Sequence, residues 1–104
     1  MSALVILTTI STVEEAETLA RQIVSEKLAA CVQILPRMTS VYFWEGMIQS
    51  AAEHLLLIKT LPEKYDGLEE FIKANHSYSV PEIVAISSER VSEEYLDWMK
   101  ESLR

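Results

Sequence analysis

Thr39-Ser-Val-Tyr-Phe-Trp44, Glu45-Gly46 and Met47-Ile-Gln49, followed by His54-Leu-Leu-Leu-Ile-Lys-Thr60, occupy the middle of the chain. Aromatic and β-branched residues run up to a two-residue turn and resume beyond it. That pattern reads as two strands joined directly, with no helix between them. The return strand is expected to break near Ser50–Glu53, where the apolar pattern lapses, and to resume at His54.

Upstream, Ala30-Cys-Val-Gln-Ile-Leu35 reads as a strand interrupted at Pro36, because proline removes a ladder donor. Before it, Ala16, Leu19, Ala20, Ile23, Val24 and Leu28 recur at helical spacing, which predicts a helix over 12–28. Ser11 and Thr12, each with a glutamate three residues on, supply a capping box. Ala3-Leu-Val-Ile-Leu-Thr-Thr9 opens the chain as a buried strand. Downstream, Pro62 suits a first helical turn. Leu61, Tyr65, Leu68 and Ile72 give that helix its apolar stripe to about Asn75, although Gly67 within it costs about 1 kcal/mol relative to Ala. Pro81-Glu-Ile-Val-Ala-Ile-Ser87 is the last strand. Ser92 caps a final helix with Leu96, Met99 and Leu103 on its inner face. The order β-α-β-β-α-β plus a helix predicts an α+β fold: a ferredoxin-like antiparallel sheet in a single domain, 1–104.

In such a sheet the helices cover one face, and strands should alternate apolar and polar residues. Here Val5 and Leu7 oppose Leu4 and Ile6, Val41 and Phe43 oppose Tyr42 and Trp44, and Leu55 and Leu57 oppose Leu56 and Ile58. Both faces are apolar. The final helix covers part of the second face; the remainder implies packing against another subunit.

The 104 residues include nine basic and sixteen acidic side chains, a net charge of −7. The basic residues are scattered singly, which argues against nucleic acid and anionic membranes as partners. The single cysteine, Cys31, has no internal disulfide partner and reads as a small buried hydrophobe without a nearby base or cation. No signal-peptide pattern opens the chain and no apolar run approaches a membrane span, so the expected location is the cytoplasm.

Two glycines could not build a dinucleotide or phosphate loop, and no metalloprotease or serine-hydrolase motif is present. His54 reads as a strand-edge residue. His76-Ser-Tyr-Ser-Val-Pro-Glu82 gathers an imidazole, a phenol and a carboxylate at a junction between elements, where function concentrates. His76 alone falls short of a metal site, which needs three or four ligands. Lys59 reads either as a lysine snorkelling at a strand end or as a ligand-binding cation. Trp44-Glu45-Gly46 reads as a hairpin tip.

Leu28-Ala-Ala-Cys-Val32, Thr39-Ser-Val-Tyr-Phe-Trp-Glu-Gly46 and His76-x-Tyr-x-Val-Pro-Glu82 resemble the CutA family of divalent-cation tolerance proteins. Glu26-Lys27, Ile58-Lys59-Thr60 and Tyr95-Leu-x-Trp98 extend the resemblance over nearly the whole chain. It implies a homotrimer, similar in architecture to PII signal-transduction proteins, with the long hairpin pairing with neighbouring subunits. It also implies a link to copper or another divalent cation, which folding does not require, and no catalytic activity. Some members carry a cysteine in the first strand and a second histidine before the His-x-Tyr motif. Thr8 and Asn75 stand at those positions here, and Ser77 replaces the usual proline, leaving His76 as the matching metal ligand. The expected pocket lies between subunits, around Trp44, Lys59, His76, Tyr78 and Glu82. The alternatives are a trimeric interaction scaffold without a specific metal site and an enzyme using His76 as acid or base beside Glu82.

Overall fold

The computed structural model describes residues 2–104. Met1, part of the 1–104 domain reading, lies outside the described residues. The elements are β1 (Leu4–Ile10), α1 (Val13–Ser25), β2 (Cys31–Ile34), β3 (Met38–Trp44), β4 (Met47–Thr60), α2 (Tyr65–Asn75), β5 (Val84–Ser87) and α3 (Glu93–Ser102). A single 3-10 turn, Pro62–Lys64, leads into α2. The predicted caps form: the Thr12 hydroxyl accepts from the Glu15 amide at 3.1 Å and the Ser92 hydroxyl from the Tyr95 amide at 3.2 Å.

The sheet order is β2-β4-β1-β5, with β3 added along β4. Every pairing is antiparallel. Ile6 lies opposite Ile58 and Thr8 opposite Leu56, so the even-numbered face of β1 and β4 meets α1 and α2. Ile6, Ile10, Leu19, Ile23, Leu56, Ile58, Leu68 and Ile72 form that core. A second cluster, Leu96 and Met99 of α3 and Leu103 at its C-cap, packs with Ala3 and Leu61 beside the ends of β1 and β4.

The expected break at Ser50–Glu53 does not occur; β4 runs unbroken for 14 residues. The interruption is on the partner side. Around Pro36 the chain passes from β2, which pairs with Leu56–Lys59, to β3, which pairs with Met47–Glu53. Pairing with β3 therefore holds Ser50-Ala-Ala-Glu53 extended despite its weak strand propensity. The outer half of β4 and β3 form a two-stranded arm beyond the helix-covered sheet. Its tip, Glu45-Gly46, has φ of 50° and 77°. Positive φ at both central residues is the turn whose twist matches the strands. The chain exposes 6647 Å², above the roughly 5,900 Å² expected at this mass, as a projecting arm requires. Phe43 and Ile48 on the arm are 70% and 75% exposed, with Val41 and Met47 beside them.

Two further expectations are corrected. Strand pairing in β5 begins at Val84, opposite Leu7, and not at Pro81, which has no amide to donate; Glu82 and Ile83 also precede the paired stretch. Cys31 is half-buried, on the sheet face away from α1 and α2, and lies directly opposite Lys59. The cation that the local sequence lacks is thus supplied across the ladder.

Candidate functional site

The last turn of α2 delivers His76 into extended backbone. Its ring then fastens the following segment to the sheet. Nε2 donates to the Thr9 carbonyl of β1 at 2.7 Å, and Nδ1 accepts from the Tyr78 amide at 3.0 Å. The imidazole therefore sits in one neutral tautomer with both nitrogens engaged. Its ring packs against that of Tyr78, centroids 4.7 Å apart. Hydroxyls of Ser77, Ser11 and Thr12 hold the Glu15 carboxyl below its usual range, which ties the same segment to the start of α1.

So positioned, Tyr78 crosses to the arm. Its hydroxyl donates to Glu53 Oε2 at 2.7 Å. Glu53 is only 7% exposed, on the stretch of β4 that was expected to be broken. Burial, and then the Glu53 carboxylate, push the Tyr78 phenol well above its ordinary value, so it remains a donor. Tyr78 and Glu53 lie in a cleft of about 610 Å³ at the base of the arm. Tyr42 and Trp44 of β3 line its arm side; Val80 and Glu82 line the side leading into β5.

Of the five residues singled out from the sequence, Trp44, Tyr78 and Glu82 line this one cleft. His76 stands behind it, in a separate depression of about 520 Å³ shared with Glu15 and Asn75. Lys59 does not join them within the chain. It lies six residues along β4 from Glu53, about 20 Å at strand rise. Its ammonium lies 5.9 Å from the Tyr95 ring centre on α3, beside Trp98. Glu53 and Tyr42 escaped the sequence reading. Glu53 sat in an apparent loop, and Tyr42 read as one aromatic among several; only the strand register brings them together.

The family described as CutA1 divalent ion tolerance protein matches residues 4–102. The chain belongs to that family. It is 47% identical over 102 residues to Protein CutA 1, chloroplastic, of Oryza sativa subsp. japonica, covering 98% of this chain and 58% of that protein. It is 46% identical over 98 residues to the divalent-cation tolerance protein CutA of Thermus thermophilus, covering 94% and 95%. The chain thus spans just over half the length of its plant relatives and nearly all of the bacterial one. Among solved structures, CutA1 from Oryza sativa superposes with a TM-score of 0.96 at 46% identity, covering 100% of this chain and 95% of that one. CutA from Archaeoglobus fulgidus, described as periplasmic, gives 0.94 at 40%, with both chains covered in full.

A cation is the first ligand to test against a CutA1 chain. Among the described residues no group of three or more His, Cys, Asp or Glu could hold an ion. His76 does not fit the ligand role in this geometry, because the Nδ1 lone pair is taken by the Tyr78 amide and Nε2 carries the proton given to Thr9. Thr8, at the position where some members carry cysteine, has its hydroxyl buried without a partner. Asn75 donates to the Phe71 carbonyl at 2.9 Å. No helix among the described residues is long and apolar enough to cross a membrane.

Proposed function

We propose that the chain is a homotrimeric, non-catalytic binding protein of the PII-like signalling type, serving divalent-cation tolerance, copper included. It would hold a small ligand or ion in clefts at its subunit boundaries and work in the cytoplasm. The β2-β4-β1-β5 order with all-antiparallel pairing supports the ferredoxin-like reading on which the PII likeness rests.

One observation carries the reading. The arm that exposes Val41, Phe43, Met47 and Ile48 also supplies Tyr42, Trp44 and Glu53 to the cleft. A two-stranded ribbon with apolar residues on both faces is marginal alone and gains stability by pairing with another chain. Assembly and ligand binding are then properties of one element. The absence of a three-ligand cluster among the described residues favours the alternative, a trimeric interaction scaffold without a specific metal site, in one respect only: a metal would need donors from more than one subunit.

The test pairs an assembly measurement with a binding one. Phe43→Ser with Ile48→Ser should shift the protein from trimer to monomer in sedimentation velocity. The same change should abolish the quenching of tryptophan fluorescence by copper(II). A trimer that persists, or a copper response of equal affinity in a monomer, contradicts the coupling.

A further inference from the structure

We propose that the cleft at the base of the arm receives a small organic cation, an ammonium group carried on an apolar or aromatic body. The proposal rests on the reading of the chain as a ligand-binding protein and names the class of ligand. Tyr42, Trp44 and Tyr78 bring three aromatic rings to one cleft. The faces of such rings are negative and attract cations. In the same cleft Glu53 is held at 7% exposure, with Oε2 fixed by the Tyr78 hydroxyl. The bond from Tyr78 uses Oε2, and Oε1 of the same carboxylate is the acceptor offered to an ammonium N–H. Glu82 lines the cleft as a second, exposed carboxylate.

Charge and size decide between ligand classes. None of the described residues lining the cleft is basic, and the chain as a whole carries −7. An anion would bring its charge against a buried carboxylate with no basic residue of this chain among the described lining to neutralise either. A bare divalent ion would find two carboxylates, one of them already bonded to Tyr78, where hard cations take six or more oxygens. Its remaining surroundings would be aromatic carbon. The volume of about 610 Å³ is that of a pocket for an organic molecule.

The experiment compares three probes of one shape, benzylammonium, benzyl alcohol and benzoate, by calorimetric titration of the assembled protein. Benzylammonium should bind tightest, benzyl alcohol more weakly, and benzoate at least tenfold more weakly than benzylammonium. Glu53→Gln keeps an acceptor for Tyr78 and removes the charge. It should weaken benzylammonium about tenfold or more, equivalent to about 1.4 kcal/mol, and leave benzyl alcohol unchanged. Glu82→Gln, at an exposed position, should cost about threefold and carries the test if the first variant fails to fold. Benzoate binding as well as benzylammonium, or benzylammonium affinity untouched by either substitution, overturns the ligand class and leaves the binding-protein reading standing. If none of the three probes binds at millimolar concentration, the ligand class falls, and the binding-protein reading stands or falls on the copper(II) titration alone.

Discussion

Replacing His76 by alanine removes two hydrogen bonds at once, the 2.7 Å bond to the Thr9 carbonyl and the 3.0 Å bond from the Tyr78 amide. Each is worth about 1 kcal/mol net, and leaving a partly buried carbonyl and amide unpaired adds to the loss, giving about 2–3 kcal/mol. For a chain of this length that corresponds to a fall in melting temperature of roughly 10 °C or more. Thermal and urea melts should be run at one fixed subunit concentration, because association makes apparent stability depend on it. Two further variants divide the effect. His76→Asn places an amide oxygen near the Nδ1 position and keeps the bond from Tyr78. His76→Gln places an amide nitrogen near Nε2 and keeps the bond to Thr9. Each should recover about half of the loss. A metal-ligand role makes a different prediction: alanine, asparagine and glutamine would all abolish copper binding with little change in stability. A His76→Ala variant within about 0.5 kcal/mol of wild type refutes the fastening role.

Thr8→Val replaces a fully buried, unpartnered hydroxyl with a methyl of the same shape, and should be neutral or stabilising by up to about 1 kcal/mol in urea melts; a clear loss would mean that the hydroxyl has a partner. Gly46→Ala should cost about 1 kcal/mol in thermal melts, because φ is 77° there while a Cβ meets nothing within 4 Å. Glu45→Asn, at φ 50°, should act in the opposite direction. The raised Tyr78 phenol gives an alkaline signature. Above the ordinary tyrosine range the folded protein keeps a proton that the unfolded chain has lost, so its stability falls as pH rises from about 10. Tyr78→Phe should flatten that slope in melts taken from about pH 9 to about pH 11, and an unchanged slope would assign it to another group.

Elements with local signals were readable from the sequence. Thr12 and Ser92 cap the helices they were expected to cap, and Leu68 and Ile72 point inward on α2 as their spacing required. Errors arose where pairing overrides propensity. Ser50-Ala-Ala-Glu53 has no strand signal of its own and is held extended by β3, which hid both the length of β4 and the placement of Glu53. Three of the five site residues meet in one cleft, because Trp44 ends β3 at the arm while Tyr78 and Glu82 lie on the segment beside its base. Within one chain Lys59 lies apart from them, six residues of strand from Glu53 and with its ammonium near the Tyr95 ring; the pocket read from the sequence joins it to the others through a neighbouring subunit. The doubly apolar strands were legible. In the chain alone Val84 and Ile86, like Phe43 and Ile48, remain exposed.

Those exposed residues make assembly the central claim, and light scattering at micromolar concentration tests it most directly. The expected result is a monodisperse species of about three times 11.8 kDa, unchanged in high salt because apolar contacts are not screened. A monodisperse species at the mass of one chain would contradict it.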